Sequence, residues 1–373
     1  MDLRVTPNFS DTYQEARDKF LTAAQQRGAR LEEHVLSGHL GLHGETLATD
    51  VALWGSPDAD KLMLITSAIH GVEGYCGSGC QISFLQDDSL FGRAEDLGVA
   101  IAFVHAVNPH GFSFGRRVNE VNVDVNRNFM SFDGDRPGHP AYAELDLLVL
   151  PETWPPEQQT EAELSRRVEA MGASAYGQTL FRGQYEFPNG MFFGGTSPTW
   201  SNNMVRNFLR THASKAQQIG WIDLHTGLGP RGNCEKVFIG KQEEFVIAQR
   251  WWGNDVISPV RADSVMFEIN GPMLRALQEE CPQAQAATIA LEFGTVPLMQ
   301  MLNALRADHW CWAHDEPQNT ARRVAARQAL RDAFFVADED WYGMVVGQFK
   351  TAAIQCMLGL GAEEVSGLKR RAA

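Results

Sequence analysis

Four short apolar runs in this chain each end on a residue able to do chemistry, and that repetition constrains the fold most. Lys61 to Ile69 runs into His70-Gly71, Ala100 to Val107 into Asn108-Pro109-His110-Gly111, and Gln218 to Leu224 into His225. The fourth, Ala287 to Phe293, carries Glu292 beside its end. Runs of this length, rich in Leu, Ile, Val and Ala, are the size of buried strands. Helical patterns separate them at 13–35, 199–214, 243–252, 271–280 and 317–337. Gly77-Ser78-Gly79 leads into a further helix start at Ile82, Phe84 and Leu85. Strands alternating with helices predict an α/β fold with a mostly parallel central sheet. In such sheets ligands gather outside the carboxyl ends of the strands, which would bring His70, Asn108, His225 and Glu292 toward one site.

At 373 residues the chain exceeds the usual domain size, yet large α/β enzymes often reach this length as one domain with insertions. The stretch from 130 to 199 is richer in Pro, Gly and charge, with Glu152-Thr153-Trp154-Pro155-Pro156 and Pro188-Asn189-Gly190. It reads as an insertion with some helix at 161–171, within a single domain spanning 1–373. The ending Leu368-Lys369-Arg370-Arg371 reads as a solvated tail. A formal net charge of −14 argues against a nucleic-acid partner, which needs a basic face. No apolar run is long enough to span a bilayer, and Met1 to Pro7 lacks the basic-then-apolar pattern of a secretory signal. The six cysteines show no paired zinc-knuckle spacing, and Cys76 and Cys80 read as small buried hydrophobes on a helix. These features predict a cytoplasmic protein. Nothing in the sequence specifies an oligomeric state.

His70 and Glu73 stand three residues apart, and His225 follows in Asp223-Leu224-His225. Two imidazoles and one carboxylate are a known way to hold a catalytic zinc with one position open. A His-x-x-Glu match alone is weak, and among eleven histidines a single one after a strand is usually structural. The segment Arg116 to Phe129 adds weight. It packs Arg116, Arg117 and Arg127 with Asn119, Asn122, Asn126 and Asn128 into a short polar stretch. Guanidinium forks and amides at that density suit a ligand with a free carboxylate. Glu292 is open to two readings, an exposed strand-end charge or a general base.

Together, His70-Gly71-Val72-Glu73, Asp124-Val125-Asn126-Arg127-Asn128-Phe129, His225 and Glu292 resemble the zinc carboxypeptidase superfamily, across about residues 60 to 295. That superfamily also includes aspartoacylase-like and succinylglutamate desuccinylase-like deacylases and murein peptide amidases. The resemblance implies a three-layer α/β/α fold with a mixed central sheet and a zinc ion held by His70, Glu73 and His225. It also implies Glu292 as general base, Arg117 (with Arg116 as second choice) at the oxyanion, and Asn126 and Arg127 on the substrate's carboxylate. Asp124 would orient His70. The activity implied is hydrolysis of an amide or peptide bond in a small peptide, or alternatively in an N-acyl amino acid. An inactive metal- and carboxylate-binding protein is the remaining alternative. One departure is visible: carboxypeptidases proper carry a tyrosine between the second histidine and the glutamate, and none lies between His225 and Glu292. Tyr185 and Tyr342 are the candidates to replace it, each with an ordinary reading as a partly buried aromatic.

Overall fold

The computed structural model describes residues 5–258, 267–314 and 316–362. The solvated-tail reading at 368–371 lies outside them. Eight strands form one sheet: β1 (Arg30–Leu40), β2 (Thr46–Trp54), β3 (Lys61–Ser67), β4 (Val99–His105), β5 (Gln218–Gly227), β6 (Cys234–Phe238), β7 (Val256–Ile257) and β8 (Gln285–Gly294). Their order is β1-β2-β4-β3-β5-β8-β6-β7. The centre, β4-β3-β5-β8, is parallel, and antiparallel pairing begins at β2 on one side and β6 on the other.

Alternation along the central strands divides the core into two layers. Met63, Ile65, Ile222, Leu224, Ile289 and Leu291 join the helices Tyr13–Gln26, Gly74–Leu85 and Glu339–Gly361 on one face. Leu62, Leu64, Ile219, Trp221 and Ala290 face the other way, toward the helix Trp200–Phe208 and the turn at Met273–Leu277. The fold is therefore a three-layer α/β/α arrangement around a mixed sheet. Each fully buried Leu, Ile or Phe contributes roughly 1.5–3 kcal/mol, so the six central residues of the first face alone outweigh any single polar contact. Among the described residues no helix is long and apolar enough to cross a membrane.

The helix expected over 13–35 stops at Gln26. Gly28 takes a left-handed φ of 71°, which favours glycine, and the chain turns into β1 two residues later. Leu31 thus belongs to a strand. The helical pattern at 199–214 is α-helical to Phe208 and becomes a π-turn over Leu209–Ala213. At 271–280 the structure has a 3-10 turn, Met273–Arg275, and a short helix, Ala276–Glu280. The stretch 130–199 carries the helices Pro140–Ala143, Asp146–Val149, Gln158–Met171 and Ala173–Phe181.

Candidate metal centre and its pocket

The site forms where the parallel strands end. His70 lies three residues past β3 and caps a 3-10 turn, Gly71–Glu73, whose three-residue period sets His70 and Glu73 on one side. The turn is held from beneath: Gly71 N donates to the Arg117 carbonyl at 3.2 Å and Val72 N to the Arg116 carbonyl at 2.9 Å. A Cβ on Gly71 would lie 1.9 Å from the Gly111 carbonyl carbon, so only glycine permits this approach. Ala68 and Ala106, each one residue past its strand, take φ values of 58° and 66°. Non-glycine residues adopt that region at a cost of about 1–3 kcal/mol. The strain sits where two neighbouring strands turn out together, joined by Asn108 N donating to the Ala68 carbonyl at 2.9 Å.

His225 and Glu292 come from the ends of β5 and β8, where they are direct register partners. His70, Glu73 and His225 each offer one ligand atom within 4.8 Å of the others. Glu73 is the hinge of the group: its Oε1 lies 2.8 Å from His70 Nδ1 and its Oε2 3.0 Å from His225 Nδ1. Both rings are fastened from behind. His70 Nε2 lies 3.2 Å from Asp124 Oδ1, and His225 Nε2 lies 2.7 Å from Asp223 Oδ2. At His225 the carboxylate on Nε2 fixes the tautomer that leaves Nδ1 as an electron-pair donor. Asp223 is itself bound by Thr66 Oγ1 at 2.6 Å, which accepts from Trp221 Nε1 at 2.9 Å.

The electrostatics fit a divalent cation. Glu73, Asp124 and Asp223 bring three formal negative charges, and Arg117 and Arg127 return two positive ones, all five groups being buried. Burial pushes the Glu73 carboxyl up, but His70 and His225 outweigh it and hold it at about 2. Burial likewise opposes ionisation of Asp124, yet Arg117 and Arg127 keep it well below the usual carboxylate range. Burial lowers the His225 pKa, but the carboxylates of Asp223 and Glu73 raise it well above the ordinary imidazole value. Positive charge is favoured at that nitrogen, and a metal satisfies the preference as a proton does.

The other residues read from the sequence divide clearly. Arg117 reaches the triad, with Nε donating to Asp124 Oδ2 at 3.0 Å and Nη1 to Glu73 Oε1 at 3.4 Å, and with Nη2 2.8 Å from His70 Nε2. Arg116 does not; it is buried against Asp308 Oδ2 at 2.8 Å and Asn122 Oδ1 at 3.2 Å. Asn126 Oδ1 accepts from Met273 N at 2.9 Å, and among the described residues Nδ2 has no partner. Arg127 donates from Nε to the Phe181 carbonyl at 2.8 Å and from Nη1 to the Asn126 carbonyl at 2.9 Å, and among the described residues Nη2 has no partner. Asn126 and Arg127 line the same pocket as His70, Glu73, Arg117, His225 and Glu292. Asn108, at the end of the second run, caps a helix through Gly111 N at 2.9 Å and stays outside the pocket lining.

Glu292 Oε1 accepts from Leu228 N at 2.8 Å, and among the described residues its second oxygen has no hydrogen-bond donor. Burial and the Glu73 carboxylate push its pKa up to about 8. Tyr185 donates to the Arg127 carbonyl at 2.7 Å, and Tyr342 stacks on Phe9 at 3.9 Å. Neither lines the pocket, which has no tyrosine among the described residues. Cys76 is a free, buried thiol whose pKa burial pushes well up, so it is packing and not a nucleophile.

Sequence reasoning assigns no role to Asp223, Thr66 or Trp221. The signal is there in part: Trp221, Asp223 and His225 alternate along β5 and so share one face, with Thr66 opposite Asp223 in register. The hydrogen-bond chain across two strands is not readable from one segment.

No curated protein matches the chain. Among solved structures, it is similar to the carboxypeptidase A from Helicoverpa armigera, at 14% identity and a TM-score of 0.43, over 92% of this chain and 73% of that one. It is also similar to thrombin activatable fibrinolysis inhibitor, at 12% identity and a TM-score of 0.43, over 90% and 74%. A metallo-carboxypeptidase from Burkholderia cenocepacia matches at 12% identity and a TM-score of 0.39, over 93% and 68%. One family profile, described as a protein of unknown function (DUF2817), matches residues 9–348, and the chain belongs to that family.

Proposed function

We propose that the chain is a zinc-dependent hydrolase of amide or peptide bonds in substrates that carry a free carboxylate. The observation that carries this reading is the meeting, in one pocket, of a His-Glu-His ligand set and two donors without a partner among the described residues, Asn126 Nδ2 and Arg127 Nη2. Zinc held by His70, Glu73 and His225 supplies a Lewis acid for the scissile carbonyl and acidifies a water to a pKa of about 7.

The chain's own residues do the rest. Glu292, fixed through Oε1 by the Leu228 amide, uses its free oxygen to take the water's proton. The water oxygen bonds to the carbonyl carbon, the carbon–nitrogen bond breaks, and Glu292 delivers the proton to the departing nitrogen. Arg117, held by Asp124, keeps a guanidinium beside the oxygen on which negative charge develops. Asn126 and Arg127 hold the substrate's carboxylate, a bonding pattern for which an arginine fork is suited. Within this reading, N-acyl-amino-acid deacylation is favoured over carboxypeptidase cleavage by the enclosure of the reacting groups, all 5% exposed or less.

The test is a hydrolysis screen of acyl-amino acids and short peptides with chelated and zinc-restored protein. Turnover that disappears on chelation and returns with zinc is the expected result. Turnover indifferent to the chelator contradicts the proposal.

A further inference from the structure

Arg116 neighbours Arg117 in sequence yet turns away from the pocket, and it is among the largest fully buried side chains. Its main chain and its side chain do different things. The main chain carries the turn Gly71–Glu73: the Arg116 carbonyl accepts from Val72 N at 2.9 Å and the Arg117 carbonyl from Gly71 N at 3.2 Å. The side chain reaches two other segments. Nε donates to Asp308 Oδ2 at 2.8 Å, on the helix Leu298–Ala313, and Nη2 donates to Asn122 Oδ1 at 3.2 Å. Asn122 Nδ2 donates in turn to the Pro188 and Gly190 carbonyls at 3.0 and 3.1 Å.

Asp308 is the carboxylate of this group. It is buried and also faces a second buried guanidinium, Arg323 Nη1, at 3.8 Å. Burial opposes its ionisation, but Arg116 and Arg323 hold it below the usual carboxylate range. A buried ion pair is weak evidence for stability, because desolvation of the ions offsets their attraction. What it supplies is direction. A guanidinium held by a carboxylate has a narrow choice of orientation, and here one residue passes that orientation to the carbonyl beneath Val72.

We propose that Asp308 is a positioning residue for the metal site. Through Arg116 it fixes the 116–117 main chain, whose two carbonyls fix how the turn Gly71–Glu73 presents His70 and Glu73. The same main chain places the Arg117 guanidinium. One buried carboxylate outside the pocket lining thus sets both the ligands and the residue assigned to the oxyanion. The inference rests on the metal-dependent hydrolase reading of that site.

The test measures zinc affinity by chelator competition, and ligand geometry by the visible absorption of cobalt(II)-substituted protein, each beside the denaturant midpoint. Three chains are compared: native, Asp308→Asn and Asp50→Asn. Asp50 is the control, a buried carboxylate bound to Arg17 Nε at 2.6 Å and Nη2 at 3.0 Å. Among the described residues its side chain makes no hydrogen bond to the turn Gly71–Glu73. Asp308→Asn is expected to weaken zinc binding about tenfold, the low end for residues that support metal ligands, and to shift the cobalt bands. Asp50→Asn is expected to lower the midpoint while zinc affinity and cobalt bands stay native.

If Asp308→Asn does not fold, a triple variant combining Arg116→Met, Asp308→Leu and Arg323→Met makes the same measurement. Apolar replacement of a whole buried ionic triad often preserves the fold, and the loss of zinc affinity is expected to persist in it. Native zinc affinity in the folded variant, or an equal loss in Asp50→Asn, overturns the positioning role. A native chain that binds neither metal overturns the metal reading instead. A selective tenfold loss in a chain that hydrolyses none of the screened substrates upholds the positioning role and overturns only the hydrolase reading.

Discussion

The two halves of the pocket are built on opposite principles. In the ligand half, each polar atom behind the triad already has a protein partner: Asp124 behind His70, and Asp223, Thr66 and Trp221 in series behind His225. In the facing half, Asn126 and Arg127 are anchored by one side and on the other present donors without a partner among the described residues. The first arrangement fixes geometry before any ligand arrives. The second leaves hydrogen-bonding capacity that only a ligand satisfies. The difference separates a site built to hold a resident ion from one built to exchange a substrate.

Substitutions test the two halves separately. Glu292→Gln, between them, is expected to keep the metal and lower kcat by about 10²–10⁴, the usual worth of a positioned general base. An active Glu292→Gln variant removes it from that role. Arg127→Ala is expected to raise KM about 10- to 100-fold on substrates with a free carboxylate, from loss of a charge-assisted bond of roughly 1.5–3 kcal/mol. Amidated analogues should be unaffected; an equal loss on both would show that Arg127 only supports the fold. Asp223→Asn is expected to weaken zinc binding about 10- to 100-fold, and Thr66→Val several-fold, with Thr66→Ser restoring it. Zinc affinity unchanged in Asp223→Asn would make the fastening behind His225 incidental.

A smaller effect contrasts His225 with histidines in which burial outweighs any carboxylate nearby. His105, His110 and His309 are pushed down to about 3, by burial first. The unfolded chain binds protons at these positions below about pH 6.5 while the folded chain does not, so stability falls as pH falls. Each group can remove up to about 1.4 kcal/mol per pH unit below that point. His225, with its raised pKa, adds no slope there because it is protonated in both states. Denaturant midpoints of metal-free protein should therefore drop between pH 6.5 and 5; a flat or rising midpoint contradicts the assignment.

The comparison of His105 with His225 also marks what the sequence could tell. Both are histidines at the carboxyl end of a buried strand, yet His105 meets the Ser78 hydroxyl and the Phe20 ring, and His225 meets two carboxylates. Only the second sits in an Asp-x-His run that alternation carries onto one face. The four central strands were legible because they are short, apolar and parallel, and the chemistry at their ends followed. The flanking strands were not: β1 is an edge strand whose Glu32, Glu33 and His34 blur any alternation. The helix Leu298–Ala313 buries Arg306, Asp308 and His309, polar residues whose partners, such as Val149 for Arg306 and Arg116 for Asp308, lie far away in sequence. The helix Glu339–Gly361 is apolar on several faces and broken by glycines, so no single stripe announces it. The stacking of Phe181 on Phe267 joins two segments that nothing local relates.

The central claim is that His70, Glu73 and His225 hold a metal. The direct measurement is the zinc content of the purified protein beside that of His225→Ala, with both competed against a chelator of known affinity. The account predicts about one zinc per chain in the native protein and loss of tight binding in the variant. A native protein that binds no zinc, or a variant that binds it equally well, would contradict it.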